Sequence, residues 1–308
     1  MIQELENQIV DVVKEVVPSV VSVTTTKLQR VQFSQVVPVK GQGSGVIVSK
    51  DGFIITNAHV IEGVQDVDVA LHDGRTYKAV VVGESRVRDM AVLKIDADNL
   101  NPLEIGKSSD LSVGQFAIAV GNPLGLGSTV TFGMVSALER NIGGRGVHLE
   151  GLIQTSAQIN PGNSGGALVD LRGRLIGIPT AMVPWSQGIG FAIAIDQVME
   201  IYEELIQTGT VKTPWMGIMG VTLNRAIAAN YGISIERGAL LVEIPRGPAS
   251  KAGLKPGDVI VAVDDQEIDG MEQIRSVILS KKVGDKIRVT FKRRMDTFEV
   301  YTELIAAP

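Results

Sequence analysis

A chain of 308 residues, 44% of them hydrophobic and 20% charged, is long enough for two domains of roughly 100–200 residues each. Its net charge of −5 argues against a protein built mainly to bind nucleic acid, and no stretch reaches the roughly 18 uninterrupted apolar residues of a membrane helix. With no cysteine in the chain, disulfides, thiolate metal sites and cysteine nucleophiles are excluded together.

The opening segment, MIQELENQIV, is acidic and amphipathic and lacks the basic and apolar regions of a signal peptide. Either the protein stays in the cytoplasm, or this is a mature or trimmed form. Residues 8–17 carry apolar side chains at helical spacing and stop at Pro18, which predicts a short N-terminal helix. From Ser19 to about Ile195 the texture changes to short Val/Ile/Thr-rich runs such as VVSVTTT, SGVIVS, FIITNA, MAVLKI and FAIAVG. Turn signals (DG, PG, GG) separate them, and this spacing predicts an all-β barrel or sandwich. Asp196 can then cap a helix over IDQVMEIYEELIQ, with Gly209 to terminate it. After the linker TVKTP, a second module runs from about Pro214 to Leu304, mostly strand signals with a short helix at PASKAG and a longer one at MEQIRSVILS. The basic stretch KKVGDKIRVTFKRR reads as the solvated face of a strand.

Chemistry concentrates in INPGNSGG. Ser164 stands in a tight glycine-rich turn, where Gly162 can take the backbone angles that a nest of amide donors requires. A nucleophilic serine needs such amides pointed at the developing oxyanion; the donors here are the amides of Gly162 and Ser164, with Asn163 held between them. By itself the segment is equally well an ordinary turn. The histidines decide between the two. His72 lies in a hairpin-turn signal (LHDG) and His148 in a glycine-rich loop, both solvent-facing contexts, whereas His59 closes the apolar strand of FIITNAHV. A strand end on a packed barrel can hold a general base rigidly. Asp89, directly before MAVLKI, is the best-placed carboxylate to orient that imidazole; Asp66, Asp68, Asp73 and Asp96 fall in polar or turn contexts. The chain order His59, Asp89, Ser164 is that of chymotrypsin.

TNAHV, RDMAVLKI and INPGNSGG, followed by GIGFAI and a second module, together resemble the HtrA/Deg family of serine proteases over nearly the whole chain. The resemblance implies a mostly β fold, a chymotrypsin-like double six-stranded β-barrel followed by a PDZ domain, with the protease domain and its N-terminal helix at 1–210 and the PDZ domain at 211–308. It also implies an ATP-independent endopeptidase acting on unfolded or misfolded proteins in quality control and stress response, assembled as a homotrimer or a higher oligomer. Family habit places such proteins outside the cytoplasm. Two residues depart from the family pattern TDAAINPGNSGG, Ser156 and Gln158; they bear on local loop hydrogen bonding and pocket lining. The segment of roughly residues 28–40 is short for a caging loop.

No acid precedes the nucleophile where a preference for Lys or Arg would need one. Ile159 is apolar, and by resemblance Gly188, Ile189 and Gly190 form an edge that pairs with substrate backbone. This predicts cleavage after small or medium aliphatic residues; the plainer alternative makes Ile159 and Ile189 ordinary core. In the second module WMGI matches the family's carboxylate-binding loop, so the amides of Met216, Gly217 and Ile218 are expected to receive a peptide C-terminus. GQGSG and GNPLGLGSTV lack the ending of a phosphate loop, and no spacing suggests a metal or other cofactor. The rival reading is a holdase chaperone or peptide-binding scaffold without significant proteolysis.

Overall fold

The structure, a computed structural model, describes residues 2–307 except 32–34, 124–126, 145–146, 161, 183–187, 232, 234 and 236; the side chains of 28–31, 35–38, 143–144, 147–148 and 181–182 also lie outside the description. The chain divides into two compact units, Met1–Val211 and Lys212–Pro308.

The first unit opens with helix α1 (Ile2–Val16), which starts earlier than the apolar periodicity predicts and gives way to a single 3₁₀ turn at Val17–Ser19, where Pro18 removes a backbone donor. Six strands follow: β1 (Val20–Val31), β2 (Gln35–Ile47), β3 (Phe53–Thr56), β4 (Asp66–Ala70), β5 (Thr76–Ser85) and β6 (Met90–Lys94), with the short helix α2 (Ala58–Ile61) between β3 and β4. They close into an antiparallel barrel in the order β1-β2-β3-β6-β5-β4. Six more strands, β7 (Phe116–Gly121), β8 (Thr129–Gly144), β9 (Val147–Thr155), β10 (Ala167–Val169), β11 (Leu175–Met182) and β12 (Gly190–Ala194), close into a second barrel in the order β10-β11-β12-β9-β8-β7. Closure leaves neither sheet an edge. The mostly β reading and the double six-stranded barrel are borne out.

Each barrel is filled from within, the first by Val23, Ile54, Val69 and Leu93, the second by Ala119, Ile153, Leu168 and Ile176. A third cluster joins them: Val46 and Ile55 of the first barrel, Ile118, Val120 and Ile178 of the second, Val12 and Val16 of α1, and Val198, Ile201 and Leu205 of helix α3 (Ile195–Thr208). Each fully buried aliphatic side chain is worth about 1.5–3 kcal/mol, so this shared cluster ties the barrels together. Gly209 ends α3 in the left-handed conformation and donates to Leu205 O at 3.0 Å. Asp196 sits inside the first turn of α3, one residue past its start, and its carboxylate accepts from the amides of Ser108 and Ser109. The expected cap thus serves a neighbouring turn, because those amides are the donors left without partners nearby.

The second unit contains strands β13 (Pro214–Trp215), β14 (Met219–Thr222), β15 (Ala239–Glu243), β16 (Val259–Val263), β17 (Gln266–Glu267), β18 (Lys286–Arg293), β19 (Asp296–Glu303) and β20 (Ile305–Ala306). Its helices are α4 (Arg225–Tyr231), which lies over a stretch with no predicted element, α5 (Pro248–Lys251) and α6 (Met271–Leu279). The main sheet runs β14-β15-β16-β18-β19, with β17 against β16, and β14 is one edge. Alternate residues of β18, Ile287, Val289 and Phe291, are buried against Ile274, Val277 and Ile278 of α6. The basic stretch therefore presents only one face to solvent, as period-two alternation requires.

Candidate active site

His59 lies in α2, one residue after the buried Asn57–Ala58 corner that ends β3. Asp89 stands at the foot of β6 with φ +51°, a conformation Asp tolerates better than most residues. That turn directs its carboxylate inward, and the residue is 8% exposed. His59 Nδ1 meets Asp89 Oδ2 at 2.9 Å, and the His59 amide donates to Asp89 Oδ1 at 3.0 Å. Asn57 Nδ2 donates to the Asp89 carbonyl at 3.0 Å, which fixes the turn itself. The imidazole is half-exposed. Burial pulls its pKa down, but the hydrogen bond and charge of Asp89, with the charge of Glu62, outweigh burial and raise it above the ordinary histidine value.

Ser164 reaches this pair through Thr180 on β11. The Thr180 hydroxyl makes a short bond to Asp89 Oδ2, and the Thr180 carbonyl accepts the Ser164 hydroxyl at 3.3 Å. Among the described residues no hydrogen bond joins Ser164 Oγ to the His59 ring. The Ser164 loop is gripped by its backbone: Ser44 N donates to Ser164 O at 2.9 Å, Gly165 N to Pro179 O at 2.9 Å and Gly166 N to Asn163 O at 2.9 Å. Gly162 has φ +103°, and a side chain there would fall 2.3 Å from Pro123 Cβ. Gly165 has φ +81°, and a Cβ there would meet Ser44 O at 2.3 Å.

The backbone amides of Gly162, Asn163 and Ser164 differ. Asn163 N donates to Asn160 O at 3.0 Å, so that amide is occupied. Among the described residues no hydrogen bond takes the amides of Gly162 or Ser164. Two donors with one residue between them are thus left free, and an oxyanion site needs such donors.

Ile159 is buried within the second barrel, and its Cγ1 lies 2.5 Å from where a Gly190 Cβ would stand. Ile189 is half-buried and Gly188 is exposed with φ +77°. Ser156 bonds both ways with β8, its hydroxyl accepting from Met134 N and its amide donating to Met134 O, each at 3.0 Å. Gln158 uses its carbonyl to hold Thr131 Oγ1 at 2.9 Å. The departure at Ser156 therefore supplies its own loop hydrogen bond. His72, Asp66, Asp73 and Asp96 are exposed, and the side chain of His148 lies outside the described residues. Among the described residues no group of acids and histidines is arranged to hold a metal ion, and no helix is long and apolar enough to cross a membrane.

In the second unit Met216 and Gly217 are buried, and Gly217, with φ +82°, lies against the Trp215 ring. Met216 O accepts Ala249 N at 2.9 Å, while among the described residues the amides of Met216, Gly217 and Ile218 donate to nothing. They open onto the start of the edge strand β14.

Thr180, Ser44 and Asn57 belong to this site, and sequence reasoning passed over all three. TNAHV could have flagged Asn57, since it is two residues from His59. Nothing in the sequence ties Thr180 or Ser44 to the site.

A pair of closed six-stranded barrels with a His–Asp pair and a glycine-bounded serine loop defines the class of trypsin-like peptidases, and residues 43–178 match the trypsin-like peptidase domain. Residues 217–304 match the PDZ domain. The chain belongs to the HtrA/Deg family of serine proteases, with a trypsin-like domain and one PDZ domain. It is 43% identical over 255 residues to a probable periplasmic serine endoprotease, DegP-like, of Halomonas elongata, covering 82% of this chain and 53% of that protein. It is 40% identical over 276 residues to the periplasmic pH-dependent serine endoprotease DegQ of Escherichia coli K12, covering 87% of this chain and 60% of that one. The chain thus spans between half and two-thirds of the length of these relatives. The solved HtrA-type protease AlgW with decapeptide superposes at a TM-score of 0.82 with 36% identity, over 97% of this chain and 98% of that one.

Proposed function

We propose that this chain is a serine endopeptidase in which Ser164 is the nucleophile, His59 the general base and Asp89 the group that orients it. The carrying observation is the His59–Asp89 pair at 2.9 Å, tied to the Ser164 loop through the two ends of Thr180. In the reaction Ser164 Oγ leaves the Thr180 carbonyl, bonds to the scissile carbon and passes its proton to His59 Nε2. The carbonyl oxygen becomes an oxyanion received by the amides of Gly162 and Ser164. Collapse breaks the C–N bond, His59 returns the proton to the departing amine, and water repeats the sequence to release the acyl group. Asp89 keeps the proton on Nδ1, leaving Nε2 free to act as base.

The residues ahead of the serine, Gln158, Ile159 and Asn160, carry no charge, and cleavage after small or medium aliphatic residues suits such a wall. Ile189 and Gly190 offer backbone for an added substrate strand. The 1–210 segment acts as the protease domain and 211–308 as the PDZ domain. In the PDZ domain the amides of Met216, Gly217 and Ile218 receive a peptide carboxylate, and the peptide adds beside β14. Following family habit, the substrates are unfolded or misfolded proteins, degraded without ATP by a homotrimer in quality control.

A fluorophosphonate probe tests the peptidase reading against the scaffold alternative. It is expected to label the protein and to leave Ser164→Ala unlabelled; no labelling of either, with or without an added C-terminal peptide, would sink the reading. For the PDZ loop, fluorescence anisotropy should detect an aliphatic peptide with a free C-terminus and lose at least about 10-fold in affinity when that terminus is amidated, the loss of a charge-assisted set of hydrogen bonds.

A further inference from the structure

Ser44 lies on β2, in the first barrel, yet most of its polar contacts reach into the second. It is fully buried. Its amide donates to Ser164 O at 2.9 Å, and its hydroxyl donates to Gly162 O at 2.5 Å while accepting from Asn122 N at 2.8 Å. Its carbonyl accepts the Thr56 hydroxyl at 2.7 Å. A serine hydroxyl has a single proton to give, so the contact from Asn122 N commits that proton to Gly162 O.

This contact falls on the peptide plane between the two open amides. The Gly162–Asn163 peptide is rigid, and both of its polar ends are held, Gly162 O by Ser44 Oγ and Asn163 N by Asn160 O. The amides of Gly162 and Ser164 flank that plane. Without the hydroxyl, Gly162 O becomes a half-buried acceptor that has lost its partner, which favours any rotation that finds it a new one. Rotation of that peptide also turns its neighbours away from a common focus.

We infer that Ser44 is a positioning residue for the proposed oxyanion site: its hydroxyl locks the Gly162–Asn163 peptide so that the Gly162 and Ser164 amides converge on one oxygen. The inference rests on the peptidase reading above and adds to it a residue that never touches substrate. A hydroxyl that only satisfies buried groups would contribute to stability alone.

Turnover of a fluorogenic aliphatic peptide and binding of two inhibitors separate these cases in the full chain. One inhibitor is a peptide aldehyde, to which Ser164 Oγ adds to form a hemiacetal whose oxygen occupies the oxyanion position. The other is the matching peptide alcohol, which forms no such bond. Removing a direct oxyanion donor costs about 10²–10³ in rate, and Ser44 acts one step removed, so Ser44→Ala should lower kcat by about 10- to 100-fold. KM should stay within about twofold, aldehyde affinity should fall in proportion to kcat, and alcohol affinity should not change. Ser44→Cys, which keeps a weaker donor, should fall between the two, and it carries the test if Ser44→Ala does not fold. A lower melting temperature with unchanged kcat and aldehyde affinity overturns the inference, as do equal losses for aldehyde and alcohol. A wild type that neither cleaves the peptide nor binds the aldehyde overturns the peptidase reading itself, and this inference with it.

Discussion

The two barrels have the same strand number and the same closure, yet they hold their parts of the site by opposite means. The first contributes side chains. His59 and Asp89 stand at the ends of β3 and β6, two strands paired directly to each other, and meet at 2.9 Å. The second contributes a loop whose backbone does most of the work and whose fixed points lie partly in the other barrel, at Ser44. Paired strands place side chains well because ladder hydrogen bonds set their spacing. A glycine-rich loop has no such ladder; short-range bonds within it, Asn163 N to Asn160 O and Gly166 N to Asn163 O, are joined by contacts beyond its own sequence.

The largest expected effect breaks the comparison on the loop side. Ser164→Ala should reduce peptide cleavage by about 10⁵–10⁶-fold, the scale seen when a triad nucleophile is removed, with binding of the peptide alcohol retained. On the strand side, Asp89→Asn should lower kcat by about 10⁴. In the proposed reaction His59 must be neutral to act as base, and its pKa is raised, so wild-type kcat/KM should climb with pH through a midpoint above about 6.5. Removing the Asp89 charge should move that midpoint down, and a midpoint in Asp89→Asn at or above that of wild type would contradict the assigned pairing. The smallest effect concerns the residue that joins the two barrels' contributions. Thr180→Val deletes the donor to Asp89 and should cost about 10-fold in kcat/KM, within the range for a hydrogen bond to a charged group. A less satisfied carboxylate holds the imidazolium more tightly, so this midpoint should move up, opposite to that of Asp89→Asn. A pH profile of the two variants side by side checks both signs.

What could be read from the chain follows the same division. His59, Asp89 and Ser164 each sit in a short local signal, a strand end, a strand start or a glycine turn, and period-two runs mark the strands that carry them. Thr180 and Ser44 are ordinary hydroxyl residues within strands. Their partners lie 91 and 118 residues away in the chain, and no local pattern encodes a contact at that separation. Helix α4 escaped because it is seven residues long, too short for the 3.6-residue period to separate it from a loop. The early start of α1 escaped because its first six residues, largely exposed, hold only two apolar side chains, Ile2 and Leu5. Asp196 kept its place near the start of a helix and lost its expected role to the unpaired amides of Ser108 and Ser109.

The glycines at 162 and 165 have a consequence for how such a protein can change. Any side chain at either position would run into neighbouring atoms at 2.3 Å and would also oppose a positive φ. These two positions beside the proposed nucleophile are therefore closed to side chains, and new substrate preferences cannot be written there. On the reading proposed above they enter through the surrounding wall, at Ile159 and Ile189, so that the reactive hydroxyl keeps one setting while what reaches it is free to drift.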